Sequence, residues 1–308
     1  MDDHLANPVR ASQSKFPLLK LPDEVIMKVV RSMESKDQVS LSYCSKAAKK
    51  LIIALKVTTY FFIVRISNTL AIITSFNDFS LKHEICLRSS NSPEAEFKYH
   101  LNHLLSILNR SQINDLHFRW SCDIYNINEI LNILSYRKIR KLIISSTIND
   151  EVFRPILSSK IHSRKLVLQK SSFKTPPEIQ KVFIRNYSRI HLNSDISLKL
   201  DDLLITNCEK ISIYNSILTE KHLNVFLKLW QKGSNPRLIM LEICVKKELN
   251  QSVIMDGIKF ETNMEERKFE NCPKIKNALY VEKVDGTKAK IVLEIIENYS
   301  DFALYVWP

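Results

Sequence analysis

Apolar residues recur at helical spacing near the start of this 308-residue chain and at alternate positions through most of its remaining length. Pro22 stands where a helix can begin without losing a hydrogen bond, and Val25, Ile26, Val29, Val30 and Met33 come after it at helical spacing. A second short helix is expected around Asp37 to Tyr43 with Val39 and Leu41. A third runs from about Ser45 to Leu55 with Ala47, Ala48, Leu51, Ile52 and Leu55. A bundle of about 40 residues supplies only one inner face, yet the first helix is apolar around more than one stripe. Residues 16–56 therefore read as a docking module, with an N-terminal helical subdomain packed on its own C-terminal body as the plainer reading. Each apolar side chain buried against a partner would contribute roughly 1.5–3 kcal/mol before the entropic cost of association.

Residues 60–67 and 69–76, rich in branched and aromatic side chains around Ser67-Asn68, predict a hairpin. A helix comes next, from about Pro93 to Asn109, with Phe97, Leu101, Leu104, Leu105 and Leu108 on one side. From there a short strand with two inward apolar residues alternates with a polar link and an amphipathic helix. The inward pairs are Leu116/Phe118, Leu142/Ile144, Leu166/Leu168 and Ile190/Leu192, at steps of 26, 24 and 24. That is a leucine-rich-repeat-like period. Ile211/Ile213 and Leu241/Ile243 continue it less evenly, and Leu203 to Ile205 reads as an additional strand. The helix from Thr219 to Trp230 is the clearest, capped by Thr219 and stopped at Gly233. Near the C-terminus two alternating strands meet at Asp285-Gly286, a tight-turn dipeptide, and Phe302, Leu304 and Val306 alternate with Ala303, Tyr305 and Trp307. A terminal antiparallel sheet is expected to close the open end of the repeats.

Composition changes this picture mainly by exclusion. With 45% apolar and 25% charged residues the chain is of ordinary globular make-up, large enough for a small module and one larger domain. Its three glycines, at 233, 257 and 286, cannot form a clustered phosphate cradle. No Gly-x-Ser-x-Gly turn occurs and no catalytic constellation stands out, so the expectation is a chain that is not an enzyme. His100 and His103 lie three apart on a helix, but nothing completes a metal set, and no cofactor is implied. Six widely separated cysteines fit reduced, buried thiols. No secretory signal is visible in the polar residues 1–14, and the apolar run 51–64 is interrupted by Lys56 and too short to span a bilayer. A cytosolic or nuclear protein without a membrane segment is expected.

Two stretches resemble known families. Leu21-Pro22, the Val25/Ile26/Val29/Val30 helix and Leu41-Ser42-Tyr43-Cys44-Ser45-Lys46 before a closing helix are similar to the F-box. Glu34-Ser35-Lys36 stands where that family often has an acidic residue followed by proline, and Gln38 stands at a usually apolar place. The stretches LLITNCEKISIYNSILTEKHLNVFLKLWQKGSNPRLIMLEI and VEKVDGTKAKI through FALYVWP resemble the nematode F-box-associated domain of type 2, covering about 203–308. The resemblance implies a substrate-recognition adaptor of a Skp-cullin-F-box ubiquitin ligase. Leu21, Pro22, Val25, Ile26, Val29, Val30, Leu41 and Cys44 would meet the Skp-type linker and through it the cullin, with the chain otherwise monomeric. The fold class expected is mixed, α+β to α/β. A disordered segment 1–15 would precede a three-helix F-box at 16–56, a connecting hairpin and helix at 57–110, a leucine-rich-repeat-like α/β solenoid at 111–250 and a closing antiparallel β-sheet at 251–308.

If Leu142 and Ile144 point inward, the alternate residues face outward. This gives a candidate substrate-binding row of His117 and Arg119, Ile143 and Ser145, Val167 and Gln169, His191 and Asn193, Ser212 and Tyr214, and Glu242 and Cys244. Solvated strand positions would show the same pattern. Between Arg137 and Arg189 stand 13 Lys or Arg against three acidic residues, a surplus of ten in a chain whose net charge is +12. Tyr136, Phe153, Phe173, Phe183 and Tyr187 are interleaved with them. A basic stretch with aromatics can hold nucleic acid, and a module binding nucleic acid or an acidic partner without a ubiquitin role is the alternative. The favoured partner is an unidentified protein substrate, since Phe153 and Phe183 already fall on helix inner faces.

Overall fold

Three short helices open the computed structural model, which describes residues 18–76, 82–87, 92–169, 176–193, 198–262, 278–296 and 299–307. The expected disordered segment 1–15 lies outside the described residues. Helix α1 spans Asp23–Ser32, α2 Ser35–Ser42 and α3 Lys46–Leu55. Strands β1 (Phe61–Ile66), β2 (Leu70–Ser75) and β3 (Lys82–Leu87) form an antiparallel meander, and α4 (Pro93–Ile107) leads into the body. Strand and helix then alternate: β4 (Gln112–Phe118), α5 (Ile127–Ser135), β5 (Lys138–Ile144), α6 (Asp150–Ser158), β6 (Ser163–Leu168), α7 (Pro176–Phe183) and β7 (Arg189–Leu192). The chain continues through α8 (Leu200–Leu204), β8 (Lys210–Ser216), α9 (Glu220–Gln231), β9 (Met240–Val245) and α10 (Gln251–Ile254). It ends in β10 (Leu279–Glu282), β11 (Lys288–Ile296) and β12 (Tyr299–Trp307).

All the described strands belong to one sheet, in the order β10-β11-β12-β9-β8-β7-β6-β5-β4-β1-β2-β3. β1 and β4 to β9 run parallel, and the flanking strands are antiparallel. The predicted inward pairs of β4 to β9 are all buried, none more than 4% exposed. They share one core with the helix stripes, among them Ile130 and Leu134 of α5, Phe153 and Ile156 of α6 and Phe226 and Trp230 of α9. A strand–helix–strand unit that returns parallel must cross over the sheet, and here its helix brings the apolar stripe that covers those pairs.

Three expectations need correction. The sheet is open, with β3 and β10 as its edges, so a solenoid closed by a separate C-terminal sheet is not what forms. β12 instead pairs edge-on with β9, setting Phe302 beside Ile243 and Leu304 beside Leu241. Their apolar side chains thereby join the existing core face, and the terminal strands widen the sheet in its own plane. The expected strand at Leu203 to Ile205 is helical: Asp202 Oδ2 accepts from Lys199 N at 3.0 Å at the start of α8. Asn235, itself at φ 49°, donates from Nδ2 to the carbonyls of Leu203 and Thr206 at its far end. Not all the cysteines are buried either, since Cys44 and Cys86 are exposed. Cys272 lies outside the described residues.

The helical module is fixed to the body by polar contacts in a mostly apolar joint. His103 on α4 is buried, stacks on Tyr43 with ring centroids 3.9 Å apart, and lies 2.7 Å from Ser42 Oγ through Nε2. Ser42 Oγ already donates to Val39 O at 2.6 Å, so the proton between Ser42 and His103 is donated by His103 Nε2. His100 Nδ1 shares a 3.0 Å hydrogen bond with Tyr43 OH. Arg110, just past α4, clasps the link into β1 through the carbonyl and hydroxyl of Thr59, and also reaches Asn114.

Burial, followed by the charge of Lys49 and the neighbouring His100, lowers the pKa of His103 to about 4. Between about 4 and the unperturbed value near 6.5 the unfolded chain takes up a proton that the folded chain refuses. Stability from this joint is therefore present above about pH 6.5 and lost as pH falls toward 4. Because burial also lowers His83, His100 and His191, the test is a difference between wild type and His103→Gln. Urea denaturation at several pH values should show a shallower loss of stability on acidification in the variant. The face assignment predicts that Leu142→Ala costs about 2–5 kcal/mol, whereas Ile143→Ala, on the other face, costs roughly 1 kcal/mol or less.

Candidate docking and recognition surfaces

The first helix sorts its apolar residues into two stripes one position apart, about 100° around the axis. Ile26 and Val30 point into the chain, 6% and 0% exposed, while Val25 and Val29 are 42% and 38% exposed. Pro22 precedes the helix, and its carbonyl accepts from Val25 N at 2.9 Å and Ile26 N at 3.0 Å. Asp23 and Glu24 in the first turn suit the positive end of the helix dipole. Of the eight residues expected at the linker, Pro22, Val25, Val29 and Cys44 are exposed, and Leu21 and Leu41 are half-buried against the core. Ile26 and Val30 are a correction. Burial in this chain's own core leaves them to hold the helix in place.

Gln38 also has a role that its sequence position did not suggest. Its Nε2 donates to Val30 O at 2.8 Å and Met33 O at 3.2 Å, satisfying carbonyls at the end of α1 and tying α1 to α2. The departure from an apolar residue at 38 is thus an internal clasp, buried at 8% exposure. Lys36 pairs with Glu34 at 2.8 Å on the surface.

On the sheet, the predicted outward row is real and in register. His117, Ile143, Val167, His191, Ser212 and Glu242 are consecutive cross-strand partners from β4 to β9. Glu242 continues to Ala303 and Val292, and His117 to Arg65. Two residues further along the same strands stand Arg119, Ser145, Gln169, Asn193, Tyr214 and Cys244. Arg119, Asn193 and Tyr214 are exposed, Ser212 is buried, and the others are half-buried. The predicted residues form one surface, packed closely enough that few of them stand free in solvent.

A parallel row lies two residues earlier and escaped the sequence reading. Asp115, Lys141, Lys165, Arg189 and Lys210 are cross-strand partners, so four cations occupy four adjacent strands. The signal was readable: a cation stands at the same place before four of the six inward pairs, at 141, 165, 189 and 210. At one end Asp115 lies within 4 Å of His117, Arg140 and Lys141. Burial works against its charge, but His117, Lys141 and Arg140 outweigh that and hold its carboxyl below the usual range. Burial lowers the pKa of the Lys165 ammonium, and Arg189, Arg140, Arg164 and Lys141 lower it further. Burial, Lys141 and Arg189 also lower His191, against the opposing pull of Glu242.

The other end of this face is acidic. A pocket of about 170 Å³ opens between β8, β9, β11 and β12, with Glu242, Glu294 and Asp301 among its walls beside Tyr214 and Cys244. Ser212 Oγ donates to Glu242 Oε2 at 2.8 Å, and burial with the neighbouring Asp301 raises the Cys244 thiol to about 11. Across the molecule a shallow groove between α5 and α6 is lined by Tyr136, Arg154, Pro155 and Lys160. Among the described residues no group of His, Cys, Asp and Glu could hold a metal ion, and no helix is long and apolar enough to cross a membrane.

Comparison with known proteins bears on both surfaces. Residues 18–59, which carry the three helices, match the F-box domain, and residues 178–243, from α7 to β9, match the F-box associated domain. The second match begins earlier than the resemblance at 203–308 and stops before the terminal strands. Over 309 residues the chain is 27% identical to the F-box associated domain-containing protein sdz-33 of Caenorhabditis elegans, covering 92% of this chain and 95% of that one. No solved structure matches significantly. F-box domains typically bind Skp-type linkers in cullin ligase complexes, and both families are adaptor and recognition modules rather than enzymes. The chain thus carries, in this order, an F-box domain and an F-box associated domain of type 2.

Proposed function

We propose that this chain is a substrate-recognition adaptor of a Skp-cullin-F-box ubiquitin ligase, with residues 16–56 as the docking module and the open face of the sheet as the surface that selects a protein substrate. The observation that carries this reading is the exposed Val25/Val29 stripe on a helix already anchored through Ile26 and Val30. An apolar stripe on an anchored helix is arranged for a partner. Pro22 and Cys44 extend the exposed surface, and Leu21 and Leu41 support it from the core side. On the substrate side the reading uses His117, Arg119, Ile143, Gln169, His191, Asn193, Tyr214 and Glu242. Catalysis is left to the ligase. The adaptor raises the rate by holding a substrate lysine close to the charged conjugating enzyme, and it works in the cytosol or nucleus.

The alternative of a nucleic-acid module keeps only Tyr136, 86% exposed, of its aromatics among the described residues, because Phe153, Phe183 and Tyr187 are 1%, 2% and 4% exposed. Phe173 lies outside the described residues. Side chains fixed in the core cannot stack on bases.

The adaptor reading predicts that Val25→Asp/Val29→Asp abolishes co-purification with a Skp-type linker. Because both positions are exposed, stability should change by no more than roughly 0.5 kcal/mol per substitution. Full recovery of linker by a folded double variant would refute the assignment, and Leu21→Ala/Pro22→Ala should give a parallel loss. Gln38→Ala, by contrast, leaves carbonyls of α1 unsatisfied and should lower stability by about 1–3 kcal/mol in urea titrations. Its linker binding should fall only in proportion to the unfolded fraction.

A further inference from the structure

The open face of the sheet carries an arrangement of charge that its own fold does not neutralise. Lys141, Lys165, Arg189 and Lys210 stand side by side across β5 to β8. Neighbouring strands are roughly 4.8 Å apart, so the row spans about 14 Å. Among the described residues only Lys141 has a carboxylate within ion-pair distance, Asp115 at 3.9 Å, while Lys165, Arg189 and Lys210 have none. Like charges held side by side on adjacent strands repel. Half-buried cations cost free energy unless they meet an anion. The ring nitrogens of His117, one row over, have no hydrogen-bond partner among the described residues, although Asp115 lies 3.7 Å away.

The same face turns acidic on the strands next to the end of the row, beginning at β9. Glu242, Asp301 and Glu294 line the pocket on β9, β12 and β11, beside the exposed Tyr214. A continuous polyanion laid along the cationic row would run toward these three carboxylates. A ligand that fits both ends must itself change sign. From Arg189 to Asp301 is three strand spacings across and two pleats along, roughly 15–20 Å. An extended chain covers that distance in about five or six residues. Three of the four cations are lysines, compact charges without the planar fork that favours phosphate.

We propose that this face binds an extended segment of a protein in which a cluster of Asp or Glu side chains is followed, about five or six residues away, by a lysine or arginine. The acidic cluster sits on Lys141, Lys165, Arg189 and Lys210, and the basic residue enters the pocket beside Glu242 and Asp301. Tyr214 and His191, with rings 5.0 Å apart, lie between the two ends and give the spacer a partly apolar floor. The inference rests on the adaptor reading only in taking that segment to belong to the substrate.

The test uses the full chain and a fluorescent peptide carrying a run of glutamates, a neutral spacer of about five residues and a pair of lysines. Anisotropy should report binding that weakens as salt is added. Lys165→Glu/Arg189→Glu should weaken it at least ~10-fold, the scale expected for close charge pairs. Glu242→Gln/Asp301→Asn should weaken it several-fold, and should have no effect on a peptide whose lysines are replaced by alanine. Lys165→Gln/Arg189→Gln guards against misfolding: relief of repulsion predicts a melting temperature no lower than wild type, with peptide binding still reduced. Unchanged binding in the charge-reversed variant overturns the proposal. So does a phosphoserine-only peptide, or a single-stranded oligonucleotide, that binds more tightly than the acidic-basic peptide through the same residues. Linker co-purification from the same preparations separates the two readings. Loss of linker in wild type counts against the adaptor assignment alone, and loss of peptide binding with linker retained counts against this site alone.

Discussion

Cross-strand register sets both faces of the sheet at once. Side chains alternate between the faces of a strand, so a slip of one residue would exchange Leu142 and Ile144 for Ile143 and Lys141 and send a cation into the core. The inward pairs of six parallel strands are in step, from Leu116/Phe118 to Leu241/Ile243, and the helices between them close one continuous apolar layer. Because that side is fixed by burial, the opposite side is fixed as well. The row from His117 to Glu242 and the cations two residues earlier are consequences of packing on the other face. A recognition surface built in this way is rigid in backbone and free to vary in side chain.

The helical module depends on a different device. Its three helices bury little by themselves, and their attachment to α4 decides where the exposed valines point. Tyr43 and His103 stack, Ser42 and His103 share a proton, and Arg110 holds the carbonyl of Thr59 where the chain leaves the module for the sheet. An adaptor works by distance and direction, so such a joint matters more than its buried area suggests. A polar joint is also orientation-specific in a way that apolar contact is not, because each donor accepts only one partner geometry.

Electrostatics ties the open face together. Four cations stand in one row on adjacent strands, with carboxylates on the strands to either side, at Asp115 and around Asp301. A surface that sorts its charges along one direction favours ligands of matching sequence and disfavours uniformly charged ones, so it selects as well as attracts.

Much of this architecture was legible in the chain itself. Helical spacing located α1 to α3 and the core stripes of α5 and α9, and the period of the inward pairs located β4 to β9, because local periodicity records which side of an element is buried. The outward row came from the same alternation. Where the reading failed, contacts distant in sequence had decided the outcome. Leu203 to Leu204 is apolar enough for a strand, but Asn235, 32 residues on, donates to the Leu203 carbonyl and holds the turn that Asp202 caps locally. The terminal strands have the alternation of a cap, but the free edge of β9 took β12 as its next strand. The order of residues was enough to assign the faces and the helical module and to exclude a clustered-glycine phosphate cradle. It took long-range packing to leave Val25 and Val29 outside while Ile26 and Val30 go in, and to bring four cations spread over 70 residues shoulder to shoulder. Local spacing fixes which side chains share a face, but which faces meet depends on pairing between strands far apart in the chain.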